Sequence, residues 1–154
     1  MKLLRVQNEH YVFRLTVWER KLLAVILNLY PVIPAAHQTL SKFPATTNKA
    51  NQKLLDEALA EHRNENKKLV RAFLADGMRF RETDISSWMT LSAAEIEWLL
   101  QVLNDIYVGN WILLGSPDAG MWDITPNEEN VRQLGAMQLA QNFQGALLEA
   151  GSGP

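Results

Sequence analysis

The residues of this chain best placed to do chemistry are Glu57, Glu61, His62 and Arg63 in one helical stretch and Asn104 and Asp105 in another. Glu65, Asn66 and Asn110 extend the set. If the two stretches form antiparallel neighbouring helices, these groups meet near the middle of a bundle, where desolvation and charge pairing would shift proton affinities and produce an acid/base pocket. The same residues could equally form a structural network, with Arg63 facing Asp105 or a nearby glutamate to satisfy charges that packing has partly buried. Such networks outnumber catalytic clusters, and the network is the preferred reading.

No other constellation suggests catalysis. The histidines are His10, His37 and His62, and a zinc or iron site would require them to converge with Glu61, Glu65 or Asp105, which no spacing favours. Neither a metal nor a cofactor is expected. The chain lacks a glycine-rich phosphate loop, a Gly-x-Ser-x-Gly elbow, a His-Glu-x-x-His motif and a Glu-x-x-His pair. With no Cys, thiol redox chemistry, thiolate metal sites and disulfides are excluded.

Recognition chemistry is better represented. Residues 1–81 hold fourteen bases against seven acids, a net +7, and residues 82–154 hold one base against ten acids, a net −9. A compact domain must pair these charges internally or present a dipolar surface. Arg63, Lys67, Lys68, Arg71, Arg79 and Arg81 form the densest positive stretch. Lys67, Lys68 and Arg71 lie opposite Leu69 and Phe73, where any solvated helix carries charge, and no zinc-finger or aromatic-glycine RNA motif accompanies them. A helix-turn-helix reader would need a recognition helix after Gly77, and Met78 to Thr83 makes a poor one. Five tryptophans are many for 154 residues. Trp88, Trp98 and Trp122 are the candidate interface anchors among them, together with the cations Lys67, Lys68 and Arg71.

The elements that must position these residues follow from periodicity and capping. Leu4 and Val6, then Tyr11, Phe13 and Leu15, alternate on either side of Gln7-Asn8-Glu9-His10 and predict a β-hairpin. Thr16 and Glu19 form a capping box that opens a first helix carrying Trp18, Leu22, Leu23, Val25, Ile26 and Leu29, ended by Pro31 and Pro34. Residues 31–49 read as a connecting loop with room for one short helical turn. A second helix is predicted from Ala50 to Ala75, with Leu55, Leu59, His62, Asn66, Leu69 and Phe73 on one line and Gly77 as a left-handed C-cap. Its polar middle requires that something polar faces inward there or that the helix leaves the core.

Ser92 and Glu95 form a second capping box, with Leu91 and Ile96 placed as a hydrophobic staple. The apolar residues from Ile96 to Leu114 cover most of the circumference, as in a central core helix, and Gly109 permits a close backbone contact. Thr125 and Glu128 suggest a third capping box, with Pro126 at the first helical position of a fourth helix reaching about Ala150. Residues 151–154 are expected to be a flexible tail. The polar Gln7 to His10 run interrupts any signal-peptide core, and no apolar run approaches the roughly 18 residues of a membrane span. A soluble, cytoplasmic protein is the expectation.

Two stretches add a resemblance. Asp56-Glu57-Ala58-Leu59-Ala60-Glu61-His62-Arg63 resembles the Asp-Glu-Ala-x-Ala-Glu-Phe-Arg motif, and Leu103-Asn104-Asp105-Ile106 with Leu114-Gly115 resembles the Leu-Asn-Asp-Leu-Arg…Leu-Gly motif, of the bacterial domain of unknown function 2017 family. Glu19-Arg20 with Leu22-Leu23 is similar too, and the likeness spans roughly residues 4–118. His62 stands where that family tends to have Phe. Tyr107 stands where it has Arg, so an ion pair centred on that Arg is not carried over. Family members often neighbour the adaptor of the Clp protease, and some are loosely labelled transcriptional regulators. The resemblance therefore implies a cytoplasmic accessory protein.

Together these readings predict a single, mainly α domain over residues 1–150, with four main helices and an N-terminal β-hairpin. The expected function is a non-enzymatic protein–protein interaction module, an accessory or adaptor protein linked to regulated proteolysis, with a protein partner or a second copy. The alternatives are an enzyme or small-ligand binder using the polar cluster, and a DNA-binding regulator. Nucleic acid and membrane are the partners least expected.

Overall fold

The computed structural model describes residues 1–35 and 49–152. His37 and most of the predicted 31–49 loop lie outside the described residues, as do Gly153 and Pro154. Strands β1 (Lys2–Gln7) and β2 (His10–Thr16) form the expected hairpin. Its turn, Asn8-Glu9, has φ of 51° and 61°. Two successive left-handed residues make the tight turn whose twist matches that of paired strands, here without the usual glycine.

Helix α1 (Val17–Leu27) starts at the predicted capping box. Thr16 Oγ1 accepts the Glu19 N–H at 3.1 Å, and the Glu19 carboxylate accepts the Thr16 N–H at 2.8 Å. The helix buries Leu23, Ile26 and Leu27, whereas Trp18, Leu22, Val25 and Leu29 stay exposed, so the predicted apolar stripe divides into two faces.

Helix α2 (Lys49–Ala75) is buried only toward its C-terminal end, at Asn66, Val70 and Phe73. Leu69 is half-exposed, so the buried line passes through Val70 instead. Within the polar middle Asn66 faces inward and is buried, and no residue of the helix before it is fully buried. Gly77 is not left-handed. The Asp76 carboxylate closes the helix, accepting the N–H groups of Met78 at 3.0 Å and Arg79 at 3.3 Å.

Strands β3 (Phe80–Glu82) and β4 (Ser86–Ser92) follow. β4 pairs with β2 along its whole length, giving an antiparallel sheet of order β1-β2-β4-β3. The expectation of a mainly α bundle with a mere hairpin is corrected on this point: the architecture is mixed α/β. Burial alternates along the sheet. Phe13, Leu15, Phe80, Ser87, Met89 and Leu91 face the helices, and the intervening residues face outward. Each fully buried aliphatic side chain contributes about 1.5–3 kcal/mol. This inner row therefore fixes the register, since a slip of one residue would turn it to water.

Helix α3 (Ala93–Leu113) begins at the second capping box, with the Ser92 N–H donating to Glu95 at 2.8 Å and the Glu95 N–H donating to Ser92 Oγ at 3.2 Å. Leu91 and Ile96 are both buried, as a staple requires. The helix ends at Gly115, φ 87°, where the Ser116 N–H reaches Trp111 O and the Gly115 N–H reaches Ile112 O. That bond pair and a left-handed residue define a Schellman cap.

A 3₁₀ turn (Met121–Asp123) precedes helix α4 (Val131–Gly151). The predicted start at Thr125 is displaced. Asn127 Oδ1 accepts the Glu129 and Asn130 N–H groups, and Asn130 Oδ1 accepts the Asn127 N–H at 2.8 Å. This reciprocal Asn–Asn pair closes the turn that precedes the helix, and α4 starts after Asn130 with no side-chain cap bond to its first N–H groups. Gly151 still belongs to α4, and Ser152 caps it. Among the described residues no helix is long and apolar enough to cross a membrane.

Candidate functional site

The predicted polar cluster assembles in part, around the chain segment after α1. Asp105, on α3, accepts the Val32 N–H at 2.7 Å and the Ile33 N–H at 3.3 Å through one carboxylate oxygen. Arg63, on α2, donates to the Ile33 carbonyl. The two charged residues do not pair with each other, as the sequence suggests; they grip the same peptide from opposite polarities. Asn66 is buried and joins the clamp, donating to Tyr30 Oη and accepting from Trp98 Nε1, both at 3.2 Å. Burial, together with the proximity of Asp105, raises the Tyr30 pKa against the opposing effect of the Asn66 bond.

Gly109 lets this segment approach. A Cβ there would stand 2.6 Å from Val32 Cβ and 2.7 Å from the Ile33 nitrogen, well inside contact distance. The remaining candidates stay apart. Glu57 pairs with Lys53 at 3.9 Å on the exposed side of α2, and Glu65 pairs with Lys68 at 2.9 Å. Glu61 and His62 are exposed. Asn104 and His62 rim a cleft of about 210 Å³ that Arg63 and Asp105 also line. Asn110 bonds back to the Ile106 carbonyl of its own helix at 2.7 Å. Among the described residues no group of three or more His, Asp or Glu could hold a metal.

The interface candidates also separate. Lys67 and Arg71 are exposed on α2. Trp98 packs at 5.6 Å against Phe73 and donates its N–H inward, so it belongs to the clamp and core. Trp122 is 75% exposed on the 3₁₀ turn. Trp88 lies on the outer face of the sheet.

That outer face is the surface the sequence reading missed. The register places Lys2 beside Arg14, Arg14 beside Trp88, and Trp88 beside Arg81. One row of side chains thus crosses all four strands, about 14 Å at the usual strand spacing, reading cation, cation, tryptophan, cation. Arg5 stands beside Val12 in the next row. Arg5, Val12, Trp88 and Arg81, with Gln7, His10, Thr90 and the exposed Met78 and Glu82, line an open groove of about 970 Å³, and Lys2 and Arg14 continue the row outside it. None of Lys2, Arg5, Arg14 and Arg81 forms a salt bridge among the described residues. Arg20 and Arg79, by contrast, are held inward: Arg20 stacks over Phe80, and Arg79 over Phe73 with Glu95 at 2.6 Å. Burial alone would raise the Glu95 pKa, but the Arg79 ion pair and the Ser92 bonds outweigh it and lower that pKa.

The alternation that builds this face is visible in the sequence only when β2 and β4 are read together. Val12 and Arg14 interleave with Phe13 and Leu15, and Trp88 and Thr90 interleave with Met89 and Leu91. The fold and site define a one-sided α/β domain, its sheet sealed by helices on one face and presenting unpaired cations around a tryptophan on the other. No protein-family model matches the chain, and comparison with curated proteins and with solved structures gives no match either.

Proposed function

We propose that the chain is a non-enzymatic protein–protein interaction module, an accessory or adaptor protein, and that the outer sheet face docks an acidic protein surface. The observation that carries this is the unpaired set Lys2, Arg5, Arg14 and Arg81 around Trp88. A cation without an internal partner adds nothing to the fold, yet it steers an oppositely charged partner and fixes its register. Tryptophan and arginine are also the residues that dominate interface energies.

The geometry gives less to the alternatives. Asp105 and Arg63 serve the Val32–Ile33 backbone, so the two central charges of the polar cluster are already engaged in bracing the chain. A strand, Phe80–Glu82, stands where a recognition helix after Gly77 would have to be. The acidic second half of the chain would repel a nucleic acid extending beyond the groove. A role in regulated proteolysis is supported by the motif likeness of residues 56–63 and 103–115 alone.

A photo-crosslinking side chain at Thr90, in the groove, tests the reading in a lysate of the native host, with position Glu149 on α4 as control. The expected outcome is a discrete protein adduct from position 90, absent from the control and lost in Arg14→Glu/Arg81→Glu or at high salt. A nucleic-acid adduct, or no adduct, overturns it.

A further inference from the structure

The partner surface that fits this groove is present on the molecule itself. Asp118, Trp122 and Asp123 form an exposed acidic segment with an aromatic at its centre. None of its carboxylates meets a base among the described residues. Glu128 and Glu129, just beyond, have an ordinary role beside the start of α4, where the helix dipole favours acids. Asp118 and Asp123 have no comparable role.

The segment is also held in shape. Trp111 Nε1 donates to the Pro117 carbonyl at 3.1 Å, tying the loop to α3, and the Asp123 N–H donates to Gly120 O at 2.9 Å to close the 3₁₀ turn beneath Trp122. A surface fixed before association loses little conformational entropy on binding.

Resting on the sheet-face reading above, we infer that the outer sheet face takes the 118–123 segment of a second copy, with Trp122 entering the groove beside Trp88 and Asp118 and Asp123 facing Arg14, at the groove's flank, and Arg81. Such a contact joins two different patches, so each copy keeps one groove and one segment free. Association is head-to-tail, closing into a ring or continuing as a chain according to the rotation between copies. Because its charges lie on the surface, the contact weakens as salt shortens the screening length.

Sedimentation equilibrium tests this with three full-length proteins: wild type, a groove variant (Arg14→Ser/Arg81→Ser) and a segment variant (Asp118→Asn/Trp122→Ser/Asp123→Asn). At about 20 mM salt the wild-type mass rises with concentration above 17.5 kDa, and it returns to that value at about 0.5 M. Either variant alone associates about tenfold or more weakly. An equimolar mixture of the two restores one groove–segment contact and stops at a complex of two chains. Circular dichroism melts matching wild type establish that the variants fold. A wild type that stays monomeric at low salt overturns the inference, as does a mixture that forms no complex or a variant that associates like wild type. If the Thr90 adduct with another protein persists in any of these cases, the sheet-face reading stands and only the self-docking falls.

Discussion

The clamp between α2 and α3 and the outer face of the sheet are built from similar side chains and meet opposite fates. In the clamp, Asp105, Arg63 and Asn66 each find a partner within the chain, mostly on backbone that would otherwise be desolvated without a hydrogen bond. On the sheet, Lys2, Arg5, Arg14 and Arg81 are exposed and form no salt bridge among the described residues. A buried polar group left unsatisfied costs about 1–3 kcal/mol, so the first set is explained by stability. Exposed single charges contribute almost nothing to folding, so the second set is not. Chemistry-bearing residue types therefore mislead when they are located by sequence clustering alone. What separates a brace from a docking surface is whether the fold already supplies the partner.

The comparison breaks if the clamp can be loosened without unfolding. Gly109→Val should have the largest effect, about 3 kcal/mol or more, because the added carbons occupy the space of Val32 and Ile33. Urea unfolding would measure it, and a loss under 1 kcal/mol would show that the 31–33 segment is not pressed against α3. Asp105→Ala should follow at about 2 kcal/mol, leaving the Val32 and Ile33 N–H groups without an acceptor. Asp105→Asn, which keeps a carbonyl oxygen there, should recover much of that. Neither change should alter cross-linking from Thr90, the measurement that keeps the two regions distinct.

Glu95→Gln comes next, at roughly 1 kcal/mol near neutral pH, through the lost Arg79 ion pair. The folded-state pKa of Glu95 is lowered, so its carboxylate stabilises the fold above the ordinary glutamate range and that contribution disappears as pH falls through the folded pKa. Thermal melts of variant and wild type should therefore converge in acid; a constant gap at every pH would remove the ion pair as its cause. The smallest effect on stability belongs to Arg14→Ser/Arg81→Ser, within about 0.5 kcal/mol. The same variant should lose the Thr90 adduct. A large loss of stability with docking intact would reverse the roles assigned to the two regions.

What the amino-acid sequence by itself determined is local. The boxes at Thr16–Glu19 and Ser92–Glu95 each join residues three apart, and the pattern alone located the starts of α1 and α3. The Asn8-Glu9 hairpin and the extent of α2 were legible for the same reason, whereas Gly109 signalled a close approach without identifying Val32 and Ile33 as the segment that makes it. Where a local signal had a nearby competitor it misled, as at Thr125, where a turn held by Asn127 and Asn130 defers the start of α4 to Val131. Only the tertiary structure decided the rest. β4 carries a period-two pattern whose meaning depends on β2, more than seventy residues earlier, and β3 is too short to announce itself. The cationic row exists only because that pairing aligns Lys2, Arg14, Trp88 and Arg81, residues that sequence distance keeps apart. Asp105 and Arg63 stood out as a pair by type, but their role was settled by a peptide that α1 delivers between them.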